Sequence, residues 1–247
     1  MTTGNSLASG VSVAAVAPSV ITEGECKKLD DKNKKERQTV VDELKSESSL
    51  NKAEQATLDK AGGTGMTVSS ATSTVPGAEG TFSACSSGCA QAQNPNGLVG
   101  GGTGPQKMGC NADTRASNDP KHDAAKEQAG VLCDKSHVHP GGGPGAHAEP
   151  KIVNQMCQDF PASPMRGGSM LFNIDWRFKR DNEPQQSGMP CGHCYKMMCH
   201  AATECEIQIF ICDKDGKPQP LSKDDCKSKN GYKDLSKRVD GKYPPGR

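Results

Sequence analysis

The sequence contains few of the residues that usually fill a protein core. Only 33% of its 247 residues are hydrophobic and 4% are aromatic, which is low for a single compact globule. The shortage is greatest in the first half, where Phe82 is the only aromatic residue before residue 160 and Ile21 is the only isoleucine before residue 152. We therefore expect the folded unit in the C-terminal part, and an N-terminal half that is extended or depends on a partner.

Long apolar runs and a large excess of one charge are also missing. No run reaches the roughly 18 residues that a membrane span requires, and the stretch 7–20 is not preceded by the basic residues that begin a secretory signal peptide. We expect neither a membrane span nor a signal of this type. The formal net charge of +1 leaves the class of partner open.

Cysteine, by contrast, is abundant, with twelve residues. This number permits several disulfides in an oxidising compartment, with pairs such as Cys85 with Cys89 or Cys110 with Cys133. Three other cysteines occur in apolar helical or strand patterns, where a free cysteine behaves as a small buried hydrophobic residue: Cys157, Cys199 and Cys212. The sequence leaves both states open.

The first part of the chain predicts a region that is separate from the rest. Two helical patterns, the second with Ser49 as its N-cap, predict a helical hairpin of about residues 36–61. A linker rich in glycine and serine follows. We interpret residues 1–78 as a trafficking or docking region that binds a secretion-system component or a chaperone, and residues 79–247 as the functional domain.

The second part of the chain predicts an α/β fold. Helical and alternating patterns follow one another there in the order helix, strand, helix, strand. The main predicted elements are a helix at 148–160, a strand at 170–178, a polar loop at 179–189, a helix at 191–203 and a strand at 206–212. Weaker patterns predict strands at 80–84 and 130–133 and a helix at 121–129.

Residues that carry chemistry stand at the starts of both main predicted helices. His147 and Glu149 begin the first, and Pro190, Cys191 and Cys194 begin the second, with Cys191 44 residues after His147. Imidazole and thiolate are zinc ligands, and three protein ligands leave a fourth position for water, as in a catalytic site. The positive end of a helix stabilises the thiolates. These residues predict a zinc site with Glu149 as a proton carrier.

In these motifs, over roughly residues 140–215, the chain resembles the cytidine-deaminase-like superfamily, and in particular the deaminase domains of bacterial polymorphic toxins. The resemblance implies a deaminase-like three-layer fold, with a mixed sheet and helices that carry the ligands His147, Cys191 and Cys194 of a zinc ion (Zn2+). It implies that Glu149 is the catalytic residue. The family normally has a helix and two strands before the helix that begins with His-x-Glu, and these are not plain in the sequence.

The same resemblance implies a function. The protein would be a hydrolytic deaminase that acts on a nucleobase, cytosine in single-stranded DNA or RNA, as a secreted effector delivered into the cytoplasm of a target cell. An immunity protein is then an expected partner. A free nucleoside or nucleotide is the alternative substrate.

Four residues near the motifs are candidates for contacts with the substrate: Trp176, Arg177, Tyr195 and His200. A base that is turned out of its stack needs an aromatic or flat partner, but packing is the simpler role for the three ring residues. Arg177, together with Lys179 and Arg180, is the better candidate for a phosphate contact.

Two other classes of function remain open. The tetrapeptide Cys191-Gly192-His193-Cys194 is similar to the active-site tetrapeptide of the protein disulfide isomerases, which indicates thiol–disulfide exchange. A non-catalytic interaction domain would instead use Cys191 and Cys194 in a structural zinc site, with Cys85 and Cys89 or with Cys199 and His200 as further ligands. The histidines at 137 and 139 suggest either a second metal site or exposed loop residues.

Overall fold

A computed structural model describes residue 21 and residues 23–86, 127–140 and 147–242 of the chain. These residues form six helices and eight strands. The helices are α1 (Glu23–Ser46), α2 (Lys52–Gly62), α3 (Ala148–Asp159), α4 (Gly192–Thr203), α5 (Lys223–Lys227) and α6 (Gly231–Asp240). The strands are β1 (Thr67–Ser73), β2 (Gly80–Cys85), β3 (Glu127–Leu132), β4 (Lys135–Pro140), β5 (Ser169–Arg180), β6 (Glu183–Ser187), β7 (Gln208–Cys212) and β8 (Pro218–Leu221). None of the described helices is both long and apolar enough to cross a membrane.

Six of the strands form one mixed sheet, which confirms the predicted α/β class. The sheet order is β2-β1-β5-β7-β8, and β6 pairs with the second half of β5. β1 is antiparallel to β2 and to β5, β7 is parallel to β5, and β8 is antiparallel to β7. Strands β2, β5 and β7 therefore all point the same way. The two remaining strands, β3 and β4, form a separate hairpin.

The common direction of β2, β5 and β7 determines where two helices begin. Parallel strands need a crossover connection, because the chain must return to the starting end of the sheet before it enters the next strand. α3 lies in the connection from β2 to β5, and α4 lies in the connection from β5 to β7. Both helices run back over the sheet, so both begin near the carboxyl ends of these strands. In open α/β sheets, ligands bind at this edge.

The main core lies between one face of the sheet and helices α3 and α4. Phe172 and Ile174 of β5 are buried there, because every second side chain of a strand points to the same face. They belong to one cluster with residues of both helices, among them Ile152 of α3 and Met198 of α4. This shared cluster holds the two helices side by side.

Helix α1 covers the opposite face of the sheet. Its buried residues recur every three or four positions, as one side of a helix requires: Cys26, Leu29, Asn33, Arg37 and Val40. Two of them are polar and meet polar residues of β5. The Asn33 side chain donates to Asn173 Oδ1 at 2.8 Å, and Arg37 Nε donates to Asp175 Oδ2 at 2.8 Å. Since Arg37 is 5% and Asp175 4% exposed, this ion pair is shielded from water.

Residues 23–78 therefore belong to the same sheet and core as the described residues that follow the predicted boundary after residue 78. β1 lies between β2 and β5, and its residues Val68 and Ala71 are completely buried. A disulfide joins Cys26 of α1 to Cys212 of β7. The scarcity of aromatic residues did not exclude a core role, because small residues are sufficient for a strand that is enclosed between two others. A trafficking or docking role for residues 1–78 stays a prediction.

The predicted helices agree with the structure except at two places. α2, α3 and α4 occur close to their predicted bounds, but α1 begins at Glu23 and not near residue 36. Ion pairs between side chains four residues apart, such as Lys27 with Asp31 at 3.1 Å, support these additional turns. The predicted helix at 121–129 is wrong for residues 127–129, which belong to β3; residues 121–126 lie outside the described residues.

The predicted strands are present, but the predicted polar loop at 179–189 is wrong in its middle. Residues 183–187 form β6, which pairs with β5 through a two-residue turn. The turn residues Asp181 and Asn182 have φ angles of 52° and 64°, a left-handed conformation that asparagine and aspartate tolerate. β8, α5 and α6 follow the last predicted strand, where no element was expected.

Disulfides account for most of the described cysteines. They join Cys26 to Cys212, Cys133 to Cys205 and Cys199 to Cys226; Cys85 and Cys157 are also disulfide-bonded. Of the two states that the sequence left open for Cys157, Cys199 and Cys212, the structure therefore has the disulfide-bonded one. The predicted pairing of Cys110 with Cys133 is wrong. Cys89 lies outside the described residues. The link from Cys26 spans 186 residues, and a link of this length strongly restricts the unfolded chain.

We expect Arg37→Met to lower the free energy of unfolding by about 3–5 kcal/mol, because it leaves the buried Asp175 carboxylate without its main partner. Urea unfolding followed by circular dichroism measures the change. Lys34→Met is the matched control, since Lys34 pairs with Asp30 on the exposed side of the same helix, where ion pairs contribute little. Equal stability of the two variants would contradict a structural role for the buried pair.

Candidate metal centre

The structure brings the side chains of His147, Cys191 and Cys194 together. Their potential ligand atoms all lie within 4.8 Å of one another. Cys191 Sγ is 3.5 Å from His147 Nδ1 and 3.5 Å from Cys194 Sγ. Within the described part of the chain, no second group of three or more histidine, cysteine or acidic side chains is arranged to hold a metal ion. The three residues therefore form a candidate metal centre.

Each half of this cluster stands at the start of a helix. His147 is the N-cap of α3 and Cys191 is the N-cap of α4, both with an extended backbone. Cys191 Sγ accepts a hydrogen bond from the Cys194 N–H at 3.5 Å, as a capping side chain does. The free N–H groups and the positive end of the helix dipole stabilise a thiolate at this position. Helix geometry thus favours the form of cysteine that binds metals.

The three side chains differ in their affinity for protons. A hydrogen bond from the Cys194 thiol is the main cause that lowers the pKa of Cys191 to about 3. Burial is the main cause that raises the pKa of Cys194 well above its ordinary value. Burial acts to lower the pKa of His147, but the hydrogen bond to Cys191 and the charge of Cys191 outweigh it and raise this pKa. We therefore expect a Cys191 thiolate beside a Cys194 thiol, whose proton is released when a metal binds.

The arrangement could hold a metal ion, and two of its ligand distances match those of a tetrahedral zinc site. In a tetrahedral site, Zn–S bonds of about 2.3 Å and Zn–N bonds of about 2.0 Å place neighbouring ligand atoms roughly 3.4 to 3.8 Å apart. The distances from Cys191 Sγ to the two other ligand atoms are both 3.5 Å. Among the described cysteines only Cys191 and Cys194 are not disulfide-bonded, so their sulfurs can act as ligands. Three ligands leave one tetrahedral position open, as in catalytic zinc sites.

Glu149 lies beside the cluster, in the first turn of α3. It is 2% exposed, and burial is the main cause that raises its pKa, followed by the charge of Cys191. A hydrogen bond with the Cys194 side chain acts in the opposite direction and shows that the carboxyl group adjoins the potential ligands. A buried carboxyl group with a raised pKa at such a place is a candidate proton carrier.

Trp176 and Arg177, two of the predicted substrate contacts, are held by residues of the sheet. The Trp176 ring packs against the main core, and its centroid lies 5.1 Å from that of Phe178. Arg177 Nε is 3.2 Å from Asp175 Oδ1, on the carboxylate that Arg37 also binds. These contacts are structural, and a contact with substrate stays a prediction for both residues.

Tyr195 packs α4 against the C-terminal helices. It is 9% exposed, and its hydroxyl donates to the Asp225 carbonyl at 2.9 Å. Its ring lies 5.1 Å from that of Tyr232, edge to face. Burial is the main cause that raises the pKa of Tyr195 to about 12. The contacts indicate packing, which is the simpler of its two predicted roles.

His200 of α4 lies against His137 of β4, with 5.0 Å between the ring centroids. His137 Nδ1 and His200 Nε2 are buried and have no hydrogen-bond partner among the described residues. Burial is the main cause that lowers the pKa of His137 to about 4, and the charge of His200 adds to it. Burial also lowers the pKa of His200, against the charge of Glu204. Both rings are therefore neutral at pH 7. The side chain of His139, the other expected ligand of a second metal site, lies outside the described residues.

Two residues that no sequence motif indicated contact the segment before α4. Tyr232 of α6 donates from its hydroxyl to the Pro190 carbonyl at 2.7 Å. Asp240, at the end of α6, accepts from the Gly188 N–H at 2.9 Å and from the Ser187 hydroxyl. These contacts join positions 42 to 53 residues apart, and no local pattern links such distant positions.

The sequence allowed a structural zinc site with four protein ligands, and this site is wrong in two of its expected ligands. Cys199 forms a disulfide with Cys226, and Cys85 is also disulfide-bonded. A third expected ligand, His200, packs against His137. No fourth protein ligand from this set completes the cluster within the described residues.

Comparisons of the chain with protein-family models, with curated proteins and with solved structures find no match. A functional interpretation therefore depends on the chemistry of the cluster and on the motif that forms it.

We expect the 247-residue protein to bind one zinc ion and the His147→Asn variant to lose it, because the variant lacks the imidazole ligand. Elemental analysis of the purified proteins gives the ratio of zinc to protein. His200→Asn is the matched control, since it changes a histidine of α4 that lies outside the cluster. A full zinc content in His147→Asn would overturn the assignment of this ligand.

We also expect the metal-free protein to lose stability between about pH 6.5 and pH 4. The unfolded chain takes up a proton at His137 below pH 6.5, whereas the folded protein does so only near pH 4 because its pKa is lowered. The contribution of His137 to the free energy of unfolding is therefore complete above pH 6.5. It falls as the pH is lowered, by up to about 3 kcal/mol. The free energy of unfolding is measured in urea at several pH values, with a chelator present, for wild type and for His137→Phe. An equally steep pH dependence in the variant would contradict this role of His137.

Proposed function

We propose that the protein is a zinc-dependent hydrolytic deaminase that acts on a nucleobase, with cytosine in single-stranded DNA or RNA as the substrate. The proposal depends chiefly on the buried Glu149 carboxyl group, which adjoins a cluster of one histidine and two cysteines. Zinc deaminases need three such ligands and a glutamate that is not a ligand. Glu149 meets this condition, because it is close to Cys194 but lies outside the three-residue cluster.

In this proposal, three residues bind the metal and a fourth transfers protons. His147, Cys191 and Cys194 would hold zinc, which supplies a Lewis acid that activates water near neutral pH. Glu149 takes a proton from the attacking water and delivers it to the ring nitrogen next to the carbon under attack. A further proton leaves with the amino group as ammonia, and the ring keeps an oxygen in its place. Burial raises the pKa of Glu149, and this suits a group that both accepts and donates protons.

Elements before α3 support the same proposal. The family that the motif resembles has a helix and two strands before the helix with the His-x-Glu motif. α1, β1 and β2 occupy this place in the chain order. They lie much further from the motif than expected, because a long segment separates β2 from α3. The elements before α3 therefore include a helix followed by two strands, together with a second helix and the hairpin β3–β4.

The state of the cysteines supports a secreted effector. Three disulfides link described residues, and disulfides persist mainly in oxidising compartments. Cys191 and Cys194 nevertheless form no disulfide although their sulfurs lie 3.5 Å apart, and a bound zinc ion would protect them from oxidation. We propose delivery into a target cell, with nucleic acid, an immunity protein and a secretion-system component or chaperone as partners.

Thiol–disulfide exchange is a second candidate function, and one observation favours it. The pKa of Cys191, lowered to about 3 chiefly by the Cys194 thiol, is typical of a reactive cysteine at a helix N-terminus. Exchange does not need a histidine at 3.5 Å from that sulfur. The deaminase accounts for all four side chains, and we therefore prefer it.

We expect Glu149→Gln to keep its zinc and to lose deaminase activity by about 10²- to 10⁴-fold, because the amide neither accepts nor donates the proton. Release of ammonia and conversion of cytosine to uracil are measured on single-stranded DNA, single-stranded RNA and free cytidine. Glu204→Gln, which changes an exposed glutamate at the end of α4, is the matched control.

Each other result of this experiment has a definite meaning. Full deaminase activity of Glu149→Gln would exclude Glu149 as the proton carrier. Reduction of a disulfide substrate by wild type and Glu149→Gln alike, without deamination by either, would favour the thiol–disulfide candidate.

A further inference from the structure

The segment of residues 187–190, here called the approach segment, connects β6 to α4 and ends directly before Cys191. It is buried at Ser187, Met189 and Pro190. The Met189 N–H donates to Ser187 Oγ at 3.0 Å, so part of the segment closes on itself. Buried backbone groups need partners, and this segment finds them in β5, which pairs with Ser187, and in helix α6.

Helix α6 binds the approach segment at both ends. At one end, Asp240 accepts from the Gly188 N–H through Oδ1 and from the Ser187 hydroxyl through Oδ2. At the other end, Tyr232 donates its hydroxyl to the Pro190 carbonyl at 2.7 Å. Each carboxylate oxygen of Asp240 thus accepts one hydrogen bond. Because the approach segment is bound at both ends, it has little freedom to shift along its length.

The contact at Pro190 acts on the orientation of Cys191. The Pro190 carbonyl and the Cys191 N–H belong to the same planar peptide unit. The first helical hydrogen bond of α4, from the Tyr195 N–H, goes to the Cys191 carbonyl, so it leaves this peptide plane unconstrained. When Tyr232 holds the carbonyl, it also limits the backbone rotation that directs Cys191 Sγ.

We propose that Tyr232 is a positioning residue for the candidate metal site, which holds the peptide before Cys191 in the orientation that binds the ion. The proposal rests on the metal centre described above. Partners that orient metal ligands commonly contribute 10- to 100-fold in metal affinity, because a ligand that is already oriented loses less freedom on binding. Tyr232 would orient Cys191 in this way, because it holds the peptide bond between Pro190 and Cys191.

Helix α6 is itself firmly held, as a support must be. Its residues Leu235 and Val239 are completely buried in the main core. Arg238 of α6 donates to Asp225 of α5 at 2.8 Å. A disulfide between Cys199 and Cys226 connects α5 to α4. Helix α6 follows α5 after three residues and is thus joined to α4 through this disulfide.

The neighbouring Tyr195 provides a matched control. Both tyrosines donate their hydroxyl to a backbone carbonyl, at 2.7 Å for Tyr232 and 2.9 Å for Tyr195, and their rings are in contact. The acceptor of Tyr195 is Asp225, which lies in α5 and not in the approach segment. Replacement by phenylalanine removes one similar hydrogen bond in each case, so the losses of stability should be similar.

The test compares wild type, Tyr232→Phe and Tyr195→Phe as full chains. Zinc affinity is measured by competition with a chromophoric chelator, and coordination geometry by the thiolate-to-cobalt absorption of the Co2+ forms. Thermal unfolding of the metal-free proteins measures stability. We expect Tyr232→Phe to bind zinc about 10- to 100-fold more weakly and to change the cobalt spectrum. Tyr195→Phe should keep the affinity and spectrum of wild type at a similar loss of stability.

Asp240→Asn is a second variant in case Tyr232→Phe does not fold. Asparagine carries no charge and only one acceptor oxygen, so its contacts with the approach segment are weaker than those of the carboxylate, and zinc affinity should fall in the same direction. Equal zinc affinity of wild type, Tyr232→Phe and Asp240→Asn would overturn the positioning role.

The result also separates this inference from the proposals that precede it. A wild-type protein that binds no zinc would exclude the metal centre and the inference together. A wild-type protein that binds zinc but deaminates nothing would exclude the deaminase, while weaker zinc binding by Tyr232→Phe would still establish the role of Tyr232.

Discussion

The direction of three strands is the constraint on which the rest of this structure depends. β2, β5 and β7 are parallel, although β1 lies between β2 and β5. Parallel strands cannot be joined by a tight turn, so the chain crosses the sheet twice, through α3 and through α4. Both helices must then begin at the same edge. His147 and Cys191 meet because each is the N-cap of one of these helices.

The opposite face of the sheet shows how polar residues contribute to a specific fold. Arg37 of α1 donates to the Asp175 side chain and also to backbone carbonyls at Ala61 and Met66. One guanidinium group therefore connects α1, β5, the end of α2 and the residue before β1. A buried ion pair contributes less to stability than its Coulomb energy suggests, because both charges lose their hydration. Its several hydrogen bonds, however, are satisfied in only one placement of α1.

The cysteines separate into two chemical groups according to their surroundings. Those in disulfides connect elements that are distant in sequence, as Cys26 of α1 does with Cys212 of β7. Cys191 and Cys194 lie at a helix N-terminus, where the hydrogen bond from the Cys194 thiol is the main cause that lowers the pKa of Cys191 and burial is the main cause that raises the pKa of Cys194. The same residue type is therefore structural in one place and reactive in the other.

Much of the site could be predicted from the sequence, because its decisive features are local. Two short motifs indicated His147, Glu149, Cys191 and Cys194, and the adjoining apolar patterns predicted the helices that begin beside them. The four positions were specified by helix-start chemistry, which depends only on neighbours in the chain. For the same reason α3, α4 and β5 were predicted within a few residues of their observed bounds.

The sequence by itself determined the local elements and the chemical type of the site, while the tertiary structure decided which distant residues support it. β1 joins the centre of the sheet although its composition is poor in large side chains, since burial there depends on the two strands that flank it. The partners of Cys199 and Cys212 and the contact of Tyr232 with Pro190 are equally non-local. Such contacts are set by chain crossings and packing, and no short stretch of sequence records them, because the partners become neighbours only when the sheet and its helices have formed.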